Sequence, residues 1–125
     1  LDIYQEIDRI QGFNQLEQFY ENIEDRYGKL PQEVYMLLEK KRLEIFLNDD
    51  RIDHYQEFQD RIELRFTEDY SDRIDGMHLF EIVSERSYDI HIKYLNKMIG
   101  LTLNLNEDWV DDLIYILKNI KEKNQ

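Results

Sequence analysis

The stretch RIELRFT, Arg61–Thr67, changes the period of the chain. Ile62, Leu64 and Phe66 alternate with Arg61, Glu63, Arg65 and Thr67. Successive side chains of an extended chain point to opposite faces, so this alternation predicts a strand with one face on a core. Upstream, Ile52–Phe58 is the expected hairpin partner, with Gln59 and Asp60 at the turn, although its alternation is weaker. Downstream, Asp75 is placed to cap a helix from Gly76 to about Arg86 that buries Met77, Phe80 and Val83 or Ile82. Ile90, Ile92 and Tyr94 alternate again, as do Leu101, Leu103 and Leu105 beyond NKMIG, which predicts a second hairpin. Asn106 is expected to cap a last helix whose apolar stripe is Trp109, Leu113, Ile116, Leu117 and Ile120. Glu107 and Asp108 then fall in its first turn and Lys118, Lys121 and Lys123 near its end, as the helix dipole prefers. The tail KEKNQ is expected to fray.

Before Leu47 the period is helical throughout. Ile3, Ile7 and Ile10 line a short first helix, and Gly12 interrupts it. Asn14 is the expected cap of a second helix with the stripe Leu16, Phe19, Tyr20, Ile23 and Tyr27. Then comes Gly28-Lys29-Leu30-Pro31. Glycine ends a helix by adopting a positive φ without strain, and proline tolerates only the start of the next one. So short a joint predicts two roughly antiparallel helices packed side by side. The third, about Pro31 to Leu47, carries Val34, Tyr35, Leu37, Leu38, Leu43, Ile45 and Phe46, an arc broad enough for a central helix. The order α-α-α, β-β, α, β-β, α, with strands in hairpins, predicts an α+β fold. Three N-terminal helices precede two hairpins that form a small, mostly antiparallel sheet, with one helix between the hairpins and a C-terminal helix.

Length and composition agree with a packed core. The chain has 125 residues, suited to one domain, with 42% apolar residues and 16 aromatics. Cysteine is absent, which excludes disulfides and thiolate metal sites and makes an intracellular origin the easier reading. No apolar run approaches the roughly 20 residues that span a membrane, and no signal peptide is visible. The opening LDIYQEI lacks a methionine and is already helical in pattern, so a fragment of a longer protein is expected.

The charge balance narrows the partners. Twenty-eight acids against 16 bases leave a net charge of −12. Residues 1–25 hold seven acids and one base, and residues 49–75 hold ten acids and four bases. No cationic footprint for a nucleic acid is present, and the aromatics are not interleaved with Lys and Arg as a stacking platform would need. Excess acid serves solubility, or it suits a basic protein partner.

Catalytic patterns are missing. Gly12, Gly28, Gly76 and Gly100 are isolated, so no loop can cradle a phosphate. His54, His78 and His91 show no metal-ligand spacing, and Ser71, Ser84 and Ser87 sit in no nucleophile elbow. Carboxylate pairs such as Asp49–Asp50, Glu68–Asp69 and Asp111–Asp112 are what 28 acids produce by chance. One feature survives. Glu17, Glu21, Glu24 and Asp25 project from the second helix away from its apolar stripe. Like charges at i, i+4 cost helix stability, so a row of them suggests a partner.

In these residues the chain resembles the C-terminal domain of bacterial transcription-repair coupling factors (Mfd). EDRYGKLPQEV resembles the family's helix–turn–helix joint, LDIYQEIDRI its approach helix, and NQLEQFYENIEDRYG its acidic second helix. Tyr27 stands where the family more often has Phe. The specific likeness covers about residues 1–47; beyond that only the order of elements matches. The resemblance implies a single regulatory domain over residues 1–125, cut from a longer bacterial, cytoplasmic protein. The parent is an ATP-dependent, helicase-like translocase that binds duplex DNA, displaces stalled RNA polymerase and recruits UvrA for nucleotide excision repair. ATP and magnesium belong to the parent; for the fragment the resemblance implies no catalysis, no cofactor, no metal, no membrane and no nucleic acid of its own. Its implied role is autoinhibition, by masking the parent's UvrA-binding module. The expected contact is Glu17, Glu21, Glu24 and Asp25, with Arg26 nearby, on a helix whose angle Gly28 and Pro31 set. Two alternatives are a stand-alone acidic adaptor and an enzyme with a polar pocket at Glu63, Glu68 or Asp69.

Overall fold

The computed structural model describes residues 2–124. It is α+β: six helices and one four-stranded antiparallel sheet are found among the described residues. The chain forms two compact units, one ending at Phe46 and one beginning at Leu47.

The first unit is helical. It holds α1 (Ile3–Asp8), α2 (Phe13–Tyr27) and nearly all of α3 (Gln32–Leu47). Asp2 caps α1 by accepting from the Gln5 N–H. Gly12, in extended conformation, stands at the cap of α2, so Asn14 lies inside the first turn and does not cap it. Gly28 ends α2 with φ 75 and ψ −143, a region that only glycine enters readily. The Pro31 carbonyl then accepts the first bonds of α3, from the Val34 and Tyr35 N–H groups. Ile7, Ile10, Leu16, Val34 and Leu38 form one buried cluster, with Phe19 and Tyr20 packed at its margin. Two expectations fail here. Tyr27, at the end of the stripe, is 69% exposed. The broad arc of α3 is only partly covered, with Val34, Leu38 and Leu43 buried but Tyr35 and Leu37 open.

The second unit carries the sheet. Its strands are β1 (Ile52–Glu57), β2 (Arg61–Phe66), β3 (Ile90–Leu95) and β4 (Met98–Asn104), in the order β1-β2-β4-β3. Ile62, Leu64 and Phe66 are buried as their alternation requires, beside Leu101 and Leu103 of β4. The irregular alternation of β1 has a cause: a bulge shifts its register between Ile52 and His54. Asn96 and Lys97, at φ 54 and 65, close the second hairpin in two residues, the turn whose twist matches paired strands. Leu105 lies beyond β4 and is exposed.

The helices of this unit correct several expectations. A short helix, α4 (Glu68–Arg73), was not foreseen; Thr67 caps it by accepting from the Tyr70 N–H. It positions Ser71, whose Oγ accepts from the buried Ile99 N–H at 2.9 Å. α5 (Gly76–Arg86), capped by Asp75 as expected, buries Leu79, Ile82 and Val83. Met77 and Phe80 are 72% and 60% exposed instead. α6 (Trp109–Asn119) starts after Asp108, which caps it without a side-chain bond. Asn106 instead accepts from the Asp108 N–H and donates to Asp89, tying the end of the sheet to the helix approach. Glu107 and Asp108 therefore precede the helix, and Asp111 and Asp112 occupy its first turn. Trp109 is only half-buried; Val110, Leu113, Ile114 and Ile116 are the covered residues. The tail does not fray through Lys123. The Lys121 carbonyl accepts from the Asp75 N–H, the Lys123 N–H donates to the Arg73 carbonyl, and Arg73 pairs with Glu122. Gln125 lies outside the described residues.

Candidate functional site

α2 presents the acidic row, and α3 fixes it. Arg42 of α3 donates from Nη1 to Glu17 Oε1 at 2.7 Å and from Nε to Glu39 Oε2 at 3.1 Å. The Tyr20 hydroxyl donates to the same Glu39 oxygen at 2.6 Å, and the Arg42 guanidinium lies 5.6 Å from the Tyr20 ring centre. These four side chains form a polar clasp between the two helices. Glu17 is therefore a member of the clasp as well as of the row. Glu21, Glu24 and Asp25 are exposed and make no ion pair among the described residues. Arg26 follows Glu17 by nine residues, roughly half a turn around the helix from it. Its guanidinium lies 5.4 Å from the Tyr27 ring centre.

The clasp has a pH signature. Burial, then the bond and charge of Glu39, push the Tyr20 phenol far above its ordinary 10.0, against the opposing Arg42 cation. The folded state thus keeps this proton where the unfolded state loses it. The stability it contributes is complete below about pH 10 and falls as pH rises beyond that. Tyr70 in the second unit is shifted in the same direction, chiefly by burial. Between about pH 8 and about pH 11 the wild type is expected to lose more stability than Tyr20→Phe, measured as urea midpoints. Equal losses would show that Tyr20 ionises freely in the folded chain.

Two shallow grooves border this region. One, of about 310 Å³, is lined by Glu6, Phe19, Asn22, Ile23, Asp25 and Arg26. The other, of about 440 Å³, lies at the joint and is lined by Ile23, Tyr27, Leu30, Pro31 and Val34 among others. The exposed Tyr27 is thus a groove wall. Sequence periodicity placed it in the core, because helical spacing shows which residues share a stripe but not where the covering helix stops. Arg26 and Asp25 meet at the first groove, so the predicted residues are divided between a charged face and a groove margin.

The TRCF domain family matches residues 1–77. The chain belongs to this family. Across nearly all of its length it is similar to the transcription-repair-coupling factor of Bacillus subtilis, at 21% identity over 98% of this chain. The Staphylococcus aureus protein of the same name is 22% identical over the same share. The chain spans only 11% and 10% of the length of these two relatives. A crystal structure of the C-terminal domain of a transcription-repair coupling factor shares its fold, with a TM-score of 0.63 at 19% identity. That likeness covers 92% of this chain and 73% of the other. The TRCF family match runs across the helical unit and into the sheet unit as far as α5.

No group of three or more His, Asp or Glu side chains able to hold a metal occurs among the described residues, and no helix is long and apolar enough to cross a membrane. Of the three acids that would mark a polar pocket, Glu63 lines a shallow hollow on the open sheet face with His54 and Arg65. Glu68 and Asp69 lie on α4, where Asp69 pairs with Arg73.

Proposed function

We propose that this chain is the regulatory C-terminal region of a transcription-repair coupling factor, the bacterial cytoplasmic translocase that clears stalled RNA polymerase and recruits UvrA. In this reading it is not catalytic. It restrains the parent by docking on the UvrA-binding module through Glu21, Glu24 and Asp25. The observation that supports it most is on α2: three exposed acids without ion partners among the described residues, one of which, Asp25, also lines a groove with Phe19 and Ile23. Apolar walls supply an anchor, and complementary charge supplies register and salt-sensitive release. ATP and magnesium do not fit this chain. Gly12 and Gly28 bound α2, Gly76 opens α5 and Gly100 lies within β4, so none forms a phosphate loop between a strand and a helix. The parent would hold them elsewhere.

Titration of this chain with the isolated UvrA-binding module tests the proposal. Binding should weaken with salt and be displaced by UvrA. Reversing Glu21, Glu24 and Asp25 to Lys should cost about 2 kcal/mol, roughly thirtyfold in affinity, with the helical circular dichroism unchanged. Undiminished binding by that variant rejects this face. Absence of binding both with separate modules and with the two fused rejects the docking function.

A further inference from the structure

The second unit leaves one sheet edge open. β1 and β3 are the edges of the order β1-β2-β4-β3. The β1 edge is disrupted by its bulge, a usual protection against strand addition. β3 has no such device in its register, which pairs with β4 without a shift from Ile90 to Leu95. The Asp89 carbonyl accepts from the Asn104 N–H at 2.8 Å, which fixes the hydrogen-bonding phase. In an antiparallel ladder the phase alternates, so Asp89, His91, Lys93 and Leu95 bond toward β4. The N–H and C=O groups of Ile90, Ile92 and Tyr94 therefore point outward from the sheet.

Both faces of this edge are shaped for a guest. On the helix side a groove of about 400 Å³ lies between α5 and β3, with Phe80, Val83, Tyr88, Ile90 and Ile92 in its lining. Phe80, Tyr88 and Tyr94 are exposed, as is Met77 on α5, and Leu95 is exposed on the other face of the strand. On the open side stand His91 and Lys93, and Lys93 lies across Gly100 from Arg65 in the register. Gly100 carries no side chain, so nothing on β4 stands between them; Arg65 is already paired with Asp53, which leaves Lys93 as the cation of this edge that a guest would meet. Neither Lys93 nor Lys97 makes an ion pair among the described residues.

We infer that β3 is a docking edge for an extended segment of a partner protein in which apolar and acidic residues alternate. A strand added beside β3 bonds to the outward groups of Ile90, Ile92 and Tyr94. Its residues opposite these point into the groove, where apolar side chains meet Phe80 and Tyr88. Its intervening residues lie on the open face beside His91 and Lys93, where carboxylates are favoured. Backbone pairing supplies affinity and the alternate side chains supply selectivity. A second copy of the chain fits poorly. Antiparallel pairing of two β3 strands about Ile92 sets Lys93 against His91 in both copies, so neither Lys93 meets a carboxylate. This surface is distinct from the acidic face of α2, and its test does not depend on it.

The probe is a capped peptide of about eight residues alternating Val and Glu, titrated into the 125-residue chain by calorimetry. Binding is expected, with slowed amide exchange at Ile90, Ile92 and Tyr94. The same peptide N-methylated on its pairing edge should not bind. Tyr94→Pro removes an outward donor on an edge strand, where proline is tolerated, and should weaken binding about fivefold. Lys93→Glu should weaken it by at least about threefold and shift preference to a Val–Lys peptide. Equal binding by the N-methylated peptide overturns strand addition. Preference of the wild type for the Val–Lys peptide overturns the acidic assignment. A dimer of the free chain that Tyr94→Pro dissolves overturns the assignment of the edge to a different protein.

Discussion

Arg86→Ala is expected to destabilise the unit beginning at Leu47 by about 3 kcal/mol. Asp112 on α6 is 5% exposed, and Arg86 Nε of α5 donates to its Oδ1 at 2.7 Å. Arg86 also lies 4.9 Å from the ring centre of Tyr115. Truncation leaves a buried carboxylate without its cation, a larger penalty than the pair's own net contribution. The guanidinium is partly solvated, which places the cost at the low end of the range for buried pairs. Urea unfolding followed by the fluorescence of Trp109, the single tryptophan, measures it. The double variant Arg86→Met with Asp112→Leu should recover most of the loss, because it removes the orphaned charge. A loss in Arg86→Ala below about 1 kcal/mol would mean that water already reaches Asp112.

This pair also marks the limit of reading the sequence. Asp111–Asp112 looked like one of many chance carboxylate pairs, since the residue that gives Asp112 its role lies 26 positions away. Glu17 was read as part of an open row for the same reason: Arg42 is 25 positions away. What depends on local chemistry was legible. The alternation in β2 follows from one covered face, and Gly28 and Pro31 end and begin helices through backbone constraints that need no partner. α5 has the expected span, and Ile82 and Val83 are buried as expected, but Met77 and Phe80 are not. Met77 and Phe80 share a helical spacing as good as that of Leu79, Ile82 and Val83, and periodicity alone does not choose between two apolar faces. α4 escaped because its six residues hold a single large apolar side chain, Tyr70. Thr67 ahead of Glu68 and Asp69 was the available signal, a cap followed by acids in the first turn. The strand order had no local signal at all.

Leu38→Ala is expected to cost the helical unit about 3 kcal/mol. Leu38 has no exposed surface and belongs to a cluster of five buried residues drawn from α1, α2, α3 and the turn after α1. So small a core has few side chains that could move into the space left by the lost atoms, so most of the cavity should persist. Far-ultraviolet circular dichroism against urea reads the loss. The consequence for docking separates fold from function. The acidic row is presented by α2, and α2 is held by Leu16 in the cluster and by the clasp of Glu17 and Tyr20 with Arg42 and Glu39. Leu38→Ala changes no charge, yet near its unfolding midpoint it should weaken docking by reducing the folded fraction. Well below that midpoint, where the helices are intact, its affinity should match the wild type. Leu38→Met, similar in volume, should cost less than about 1.5 kcal/mol and dock normally under both conditions. If Leu38→Ala binds weakly even when its circular dichroism equals that of the wild type, then the partner reads the helix packing itself, and the surface charges of α2 are not sufficient for recognition.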